Sequence, residues 1–193
     1  ERVFTEFQNK YPYRTDLALK RADILKRSGR IVEALNVIYK AYEVETDVLV
    51  RAQFVNMYEE YAVPYIKDLM QSGAAERAYA QCEKLLKICP DSEAGLHYAV
   101  NATAILKRWD EHRRLVAWGY QQFNYDNFFI IKQAAIYTNA KQYSLAEGLL
   151  RPRIEEYLGD SLLVNANSGN SCSWAVELID IKQIRLLLFL IML

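Results

Sequence analysis

Between residues 15 and 158, apolar side chains recur every three or four positions and are interrupted by short polar turns. This is the pattern of amphipathic helices folded back on one another. Leu17, Leu19, Ala22 and Leu25 form the first stripe, and Gly29 ends it, as a glycine just past a helix terminus does. Ala34, Leu35, Ile38, Ala41 and Tyr42 form the next stripe. The small residues Ala22 and Ala34 predict a close antiparallel approach of the two backbones. Another pair is expected from about Ser92, with Asp91 and Ser92 as helix-start signals. A last pair is expected from about Asn127, with Ala134, Tyr137, Ala146, Leu149 and Leu150 in its interior.

These pairs repeat. The strings SGRIVEAL and SGAAERAY each place a small residue five positions after Gly29 or Gly73. The strings KRWDEHRRL and KQYSLAEGL share that layout, with Trp109 and Tyr143 34 residues apart. Ala78, His112 and Ala146 are spaced by the same 34. A fixed period of this length is the mark of an array of stacked units. Gly29 and Gly73 are 44 residues apart, so about ten residues are inserted before the second turn. The insertion is assigned to 47–71, where Pro64 predicts a kinked or broken helix. His112 stands where the other units have alanine, which predicts looser packing in the third pair.

Composition narrows the class without naming a ligand. The chain has 193 residues, 24 basic and 24 acidic side chains, 7 Gly and 4 Pro, which argues against disorder and against a turn-rich β protein. No apolar run reaches the roughly 18–20 residues of a spanning helix. Three cysteines make no disulfide framework, and Cys82 and Cys89 would sit about 10 Å apart along one helix. The compartment stays open between cytoplasm and bacterial periplasm or cell envelope. There are only two histidines, His97 and His112, and no HxxxH, HExxH, CxxC or glycine-rich phosphate loop. No catalytic residue, metal ligand or cofactor is therefore expected, and Cys82 reads as a buried structural thiol. The basic pairs Lys20–Arg21, Lys26–Arg27, Lys107–Arg108 and Arg113–Arg114 are interleaved with acids, so no nucleic-acid partner is expected. Tyr58, Tyr61 and Tyr65 fall at core spacing, with an exposed aromatic strip as the alternative.

The repeated residues resemble the tetratricopeptide repeat (TPR) over about residues 15–158. Ala22 and Ala134 are the small residues of first helices. Gly29, Gly73, Trp109 and Tyr143 mark turns, and Ala34, Ala78 and Ala146, then Ala41 and Gly119, lie in second helices. Pro90 stands at the closing position. The resemblance implies an all-α fold, a right-handed α-α superhelix (TPR-like solenoid) of about four helical hairpins plus partial terminal helices. Its segments are 1–12 as the end of a preceding repeat, 15–46, 47–91 with the insertion, 92–125 and 126–158. It also implies a concave groove lined by first helices, in which Lys26, Arg27, Lys67, Gln71, His97, Asn101, Phe128 and Asn139 are the ligand candidates. The expected activity is non-enzymatic protein or peptide binding by part of a larger protein. A structural periplasmic or cell-envelope module of a bacterial surface or secretion protein, and an RNA-processing scaffold, are the alternatives. Asn101 fits one place of the carboxylate clamp that holds chaperone C-termini, but His97 and Ala135 replace its Lys and Asn, so that subtype is not expected.

The ends add three expectations. The chain begins at Glu1 with neither Met nor a signal peptide, and Pro12 keeps register with Pro90, so further repeats are expected before it. Residues 159–173 are rich in Gly, Ser and Asn and read as a loop. Residues 174–193 read as a helix whose end is apolar on every side, a surface expected to be covered by self-association, a further repeat or another domain.

Overall fold

The computed structural model describes Glu6 and residues 15–158; apart from Glu6, the expectations for 1–12, 159–173 and 174–193 lie outside the described residues. Eight helices follow one another there: α1 (Thr15–Arg27), α2 (Ile31–Val44), α3 (Val48–Gln71), α4 (Ala75–Ile88), α5 (Glu93–Ile105), α6 (Trp109–Gln122), α7 (Asn127–Asn139) and α8 (Tyr143–Leu158). No strand occurs among the described residues. The chain forms two compact units, Glu1–Ile136 and Tyr137–Leu193, with the boundary inside α7.

The turns explain why the period is 34. Gly29 and Gly73 have φ of 75° and 76°, and Lys107 and Lys141 have φ of 57° and 60°. At all four the chain closes the preceding helix in the same way. The Gly29 N–H donates to the Lys26 carbonyl and the Arg30 N–H to that of Leu25. Equivalent pairs run from Gly73 and Ala74 to Met70 and Leu69, from Lys107 and Arg108 to Ala104 and Thr103, and from Lys141 and Gln142 to Thr138 and Tyr137. This double bond satisfies carbonyls that the helix leaves open, and it requires a left-handed residue. Trp109 and Tyr143 lie two places further on, as the first residues of α6 and α8. A left-handed lysine pays a steric penalty that glycine avoids. Lys107→Gly is therefore expected to stabilise the fold by roughly 1 kcal/mol, seen as a higher urea midpoint at unchanged slope. A lower midpoint would contradict the turn geometry.

The inserted residues form no separate element. They lengthen α3 to 24 residues, against 13 in α1, α5 and α7. Asp47 caps its start, its Oδ1 accepting from the N–H groups of Leu49 and Val50. Pro64 lies inside α3, and the helix is not broken there. Proline supplies no N–H for the carbonyl of Glu60, but both residues are exposed, so water can reach the deprived oxygen.

Within the first unit, each helix from α1 to α6 packs on the next, and α1 also touches α3, as α3 touches α5. The core runs through Ala22, Leu25, Ala34, Ile38, Phe54, Ile66, Ala78, Leu85, Leu96 and Val116 to Phe129 of α7. The α1 stripe is shifted from expectation: Ala18, Ala22 and Leu25 are buried, while Leu17 and Leu19 are half-buried. Tyr58 and Tyr61 are buried and Tyr65 half-buried, so this spacing serves the core. The Tyr58 hydroxyl accepts from Gln81 Nε2 at 2.7 Å, and burial pushes its pKa up to about 12.

His112 sits half-buried at the α5–α6 seam, where Nδ1–H donates to the Val100 carbonyl at 3.1 Å. Burial holds its pKa below the ordinary value. The imidazole that replaces the small residue thus adds a hydrogen bond between the two helices. In the second unit, Ala146 of α8 is buried, while Leu149 and Leu150 are half-buried.

Candidate functional site

The contacts of α1 with α3 and of α3 with α5 bring three first helices side by side. Each buries one stripe and leaves another in solvent. On α3 the exposed stripe is Asn56, Glu60, Pro64, Lys67 and Gln71, spaced three or four residues apart. On α5 the accessible positions Glu93, His97, Asn101, Ala104 and Ile105 repeat in the same way. Ile105 is 60% exposed, so apolar surface accompanies the amides and charges.

The groove candidates differ in what they are free to do. Lys67 and Gln71 are exposed, and Asn101 is half-buried, none with a side-chain partner among the described residues. Lys26 of α1 is engaged: Nζ donates to Glu60 Oε1 of α3 at 2.9 Å and lies 3.8 Å from the centre of the Tyr61 ring. Arg27 pairs with Asp23 one turn back at 2.8 Å. These two cations therefore tie helices and turns together before any ligand arrives. Phe128 is half-buried against His97, with ring centres 4.1 Å apart. Asn139 is exposed at the end of α7 and belongs to the second unit.

His97 is the most constrained of them. Its Nε2 is hydrogen-bonded to Asp126 Oδ2. The Phe128 ring stacks on the imidazole and the Phe129 ring meets it edge-on with centres 4.8 Å apart. Asp126 precedes α7, and its other oxygen, Oδ1, accepts from the Phe128 N–H at 2.9 Å. Glu93, one turn before His97, accepts from the Tyr125 hydroxyl at 3.1 Å. The donor atoms of Glu93, His97 and Asp126 all lie within 4.8 Å of one another. Glu93 and Asp126 were not among the sequence candidates. The i, i+4 spacing of Glu93 and His97 was one available signal. The other was the place of Asp126 one 34-residue period after Ser92, whose Oγ caps α5 by accepting from the Gly95 N–H.

The two thiols among the described residues are not activated. Cys82 and Cys89 are free and buried, and burial pushes both pKa values up to about 12. For Cys89 the carboxylates of Asp91 and Glu59 add to the shift, and Sγ–H donates to Asp91 Oδ1 at 3.1 Å. Both remain thiols at neutral pH, whereas nucleophilic attack needs a thiolate.

No protein-family model matches the chain, and no curated protein matches it. No helix among the described residues is long and apolar enough to cross a membrane.

Proposed function

We infer that the chain is a non-enzymatic, TPR-like scaffold that holds an extended segment of another protein on its first-helix surface. The observation that carries this reading is the contact of α1 with α3 and of α3 with α5, together with four turns of one local geometry at Gly29, Gly73, Lys107 and Lys141. Stacking of this kind curves an array of hairpins, in TPR-like proteins into a right-handed superhelix, and turns the first helices toward the ligand. Lys67, Gln71 and Asn101 supply donors to a peptide backbone or side chain, and Ile105 an apolar contact. Asn139 lies in the second unit, and the proposal does not depend on it.

A partner made of protein suits this surface better than one made of nucleic acid. Arg27, Arg30, Arg108, Arg113 and Arg114 are each paired with a carboxylate. Formal net charge is zero. Phosphate binding needs cations that are in excess and unpaired.

A random peptide library selected on the immobilised chain tests the reading. Peptides enriched on it should lose about tenfold in affinity, roughly 1.4 kcal/mol, when Lys67→Glu and Asn101→Ala are combined, with the helical circular dichroism unchanged. Failure to enrich any peptide, or binding indifferent to both substitutions, would count against it.

A further inference from the structure

We propose that Glu93, His97 and Asp126 form a binding site for a divalent transition-metal ion of the zinc type. The ion would fasten α5 to the turn between α6 and α7. Glu93 and His97 share the accessible stripe of α5 with Asn101, but the metal site rests on donor geometry and not on peptide binding.

Three donors come from two separate parts of the chain and converge within 4.8 Å. An ion with bonds of about 2 Å needs its donors roughly 3–3.5 Å apart, so His97 Nε2 and Asp126 Oδ2, now in hydrogen-bond contact, would part slightly and Glu93 would close in. Contacts outside the cluster restrain each donor. The rings of Phe128 and Phe129 fix the plane of the imidazole. The Phe128 N–H holds Asp126 Oδ1, so Oδ2 faces His97. The Tyr125 hydroxyl holds one oxygen of Glu93 and leaves the other for the ion. Such outer contacts are what set ligand orientation in metal sites. On binding, the ion takes the place of the proton between His97 Nε2 and Asp126 Oδ2; that proton moves to Nδ1 or leaves to solvent, so that the imidazole ligates as its Nδ1–H tautomer.

The donor set decides the class of ion. One imidazole and two carboxylates suit zinc and its first-row neighbours, whereas magnesium and calcium favour all-oxygen shells. The side chains of His97 and Asp126 are 30% and 16% exposed, which leaves room for water to complete the coordination. The repeat does not reproduce the cluster. One period earlier, Val63 and Ser92 occupy the places of His97 and Asp126, and neither can be a strong ligand.

The test is a Zn2+ titration of the full chain followed through the imidazole nitrogens. His97 and His112 are the only histidines, so the signals are two sets. Saturation at one ion per chain, with the His97 nitrogens moving and those of His112 unmoved, is expected. Tyr125→Phe should weaken binding about tenfold, and Glu93→Gln by more, with helical content retained in both. A shift confined to His112, affinity unchanged in Glu93→Gln, or no binding up to about 1 mM Zn2+ would overturn the site. So would a thiolate-to-metal charge-transfer band on titration with Co2+, which would place the ion on cysteine.

Discussion

Truncating Phe129 to alanine is expected to lower the unfolding free energy by about 3–5 kcal/mol, measured by urea or thermal denaturation. The side chain is fully buried and closes the core of the first unit. It packs against Phe123 with ring centres 5.8 Å apart and against Phe128 at 5.1 Å. Its ring also lies directly over Gly119 of α6, so close that a Cβ there would stand 2.2 Å from the ring carbons. A second expectation is built into this contact. Gly119→Ala alone should cost about 1–3 kcal/mol through overpacking. In the Phe129→Ala background the clash is gone, and the same substitution should instead stabilise by up to about 1 kcal/mol through helix propensity. Contacting residues are expected to be non-additive in this way. Additive costs would mean that the ring does not rest on the glycine.

Leu85→Ala should have the next largest effect, a loss of about 2–5 kcal/mol. Leu85 is fully buried in α4, and its Cδ2 would lie 2.8 Å from a Cβ on Gly95 of α5. The junction between α4 and α5 therefore uses the device seen between α6 and α7, a large side chain seated on a helical glycine. At Gly95 the same Cβ would also crowd the Ser92 oxygen that caps α5, at 2.9 Å. Substitution at an exposed apolar position provides the control. Val48→Ala, at 78% exposure, should stay within about 0.5 kcal/mol of the parent. A loss there as large as at Leu85 would mean that the exposed end of α3 is covered.

Much of this architecture is legible in the chain because helix pairs are local. The stripe spacing locates most helices, and Gly29 and Gly73 announce their turns by composition. Lys107 and Lys141 do not, since a lysine gives no sign of a left-handed backbone, and only their distance from Gly73 reveals the equivalence. Pro64 misleads for a physical reason: its cost depends on whether the deprived carbonyl is solvated, and a linear pattern does not say which face it takes. Ala18 is buried while the flanking Leu17 and Leu19 are only half-buried, because burial follows the helix face and not residue size.

The surface residues were less readable. Lys67 and Gln71 are exposed on α3, and Asn101 is half-buried on α5. Lys26 and Arg27 have the right type and position, but carboxylates of α3 and α1 engage them. Nor does a lone histidine announce its ligands. Asp126 reaches His97 from 29 residues away, through a turn whose course depends on Phe123 and Phe129 being buried together.

We propose that a protein segment binds along the exposed stripes of α3 and α5. Mapping backbone amide shifts while a library-selected peptide is titrated into the labelled chain tests it most directly. Perturbations concentrated at Asn56, Glu60, Lys67, Gln71, Asn101 and Ile105 are expected. Perturbations gathered on the outer faces of α2, α4 and α6, with those six positions unmoved, would contradict it.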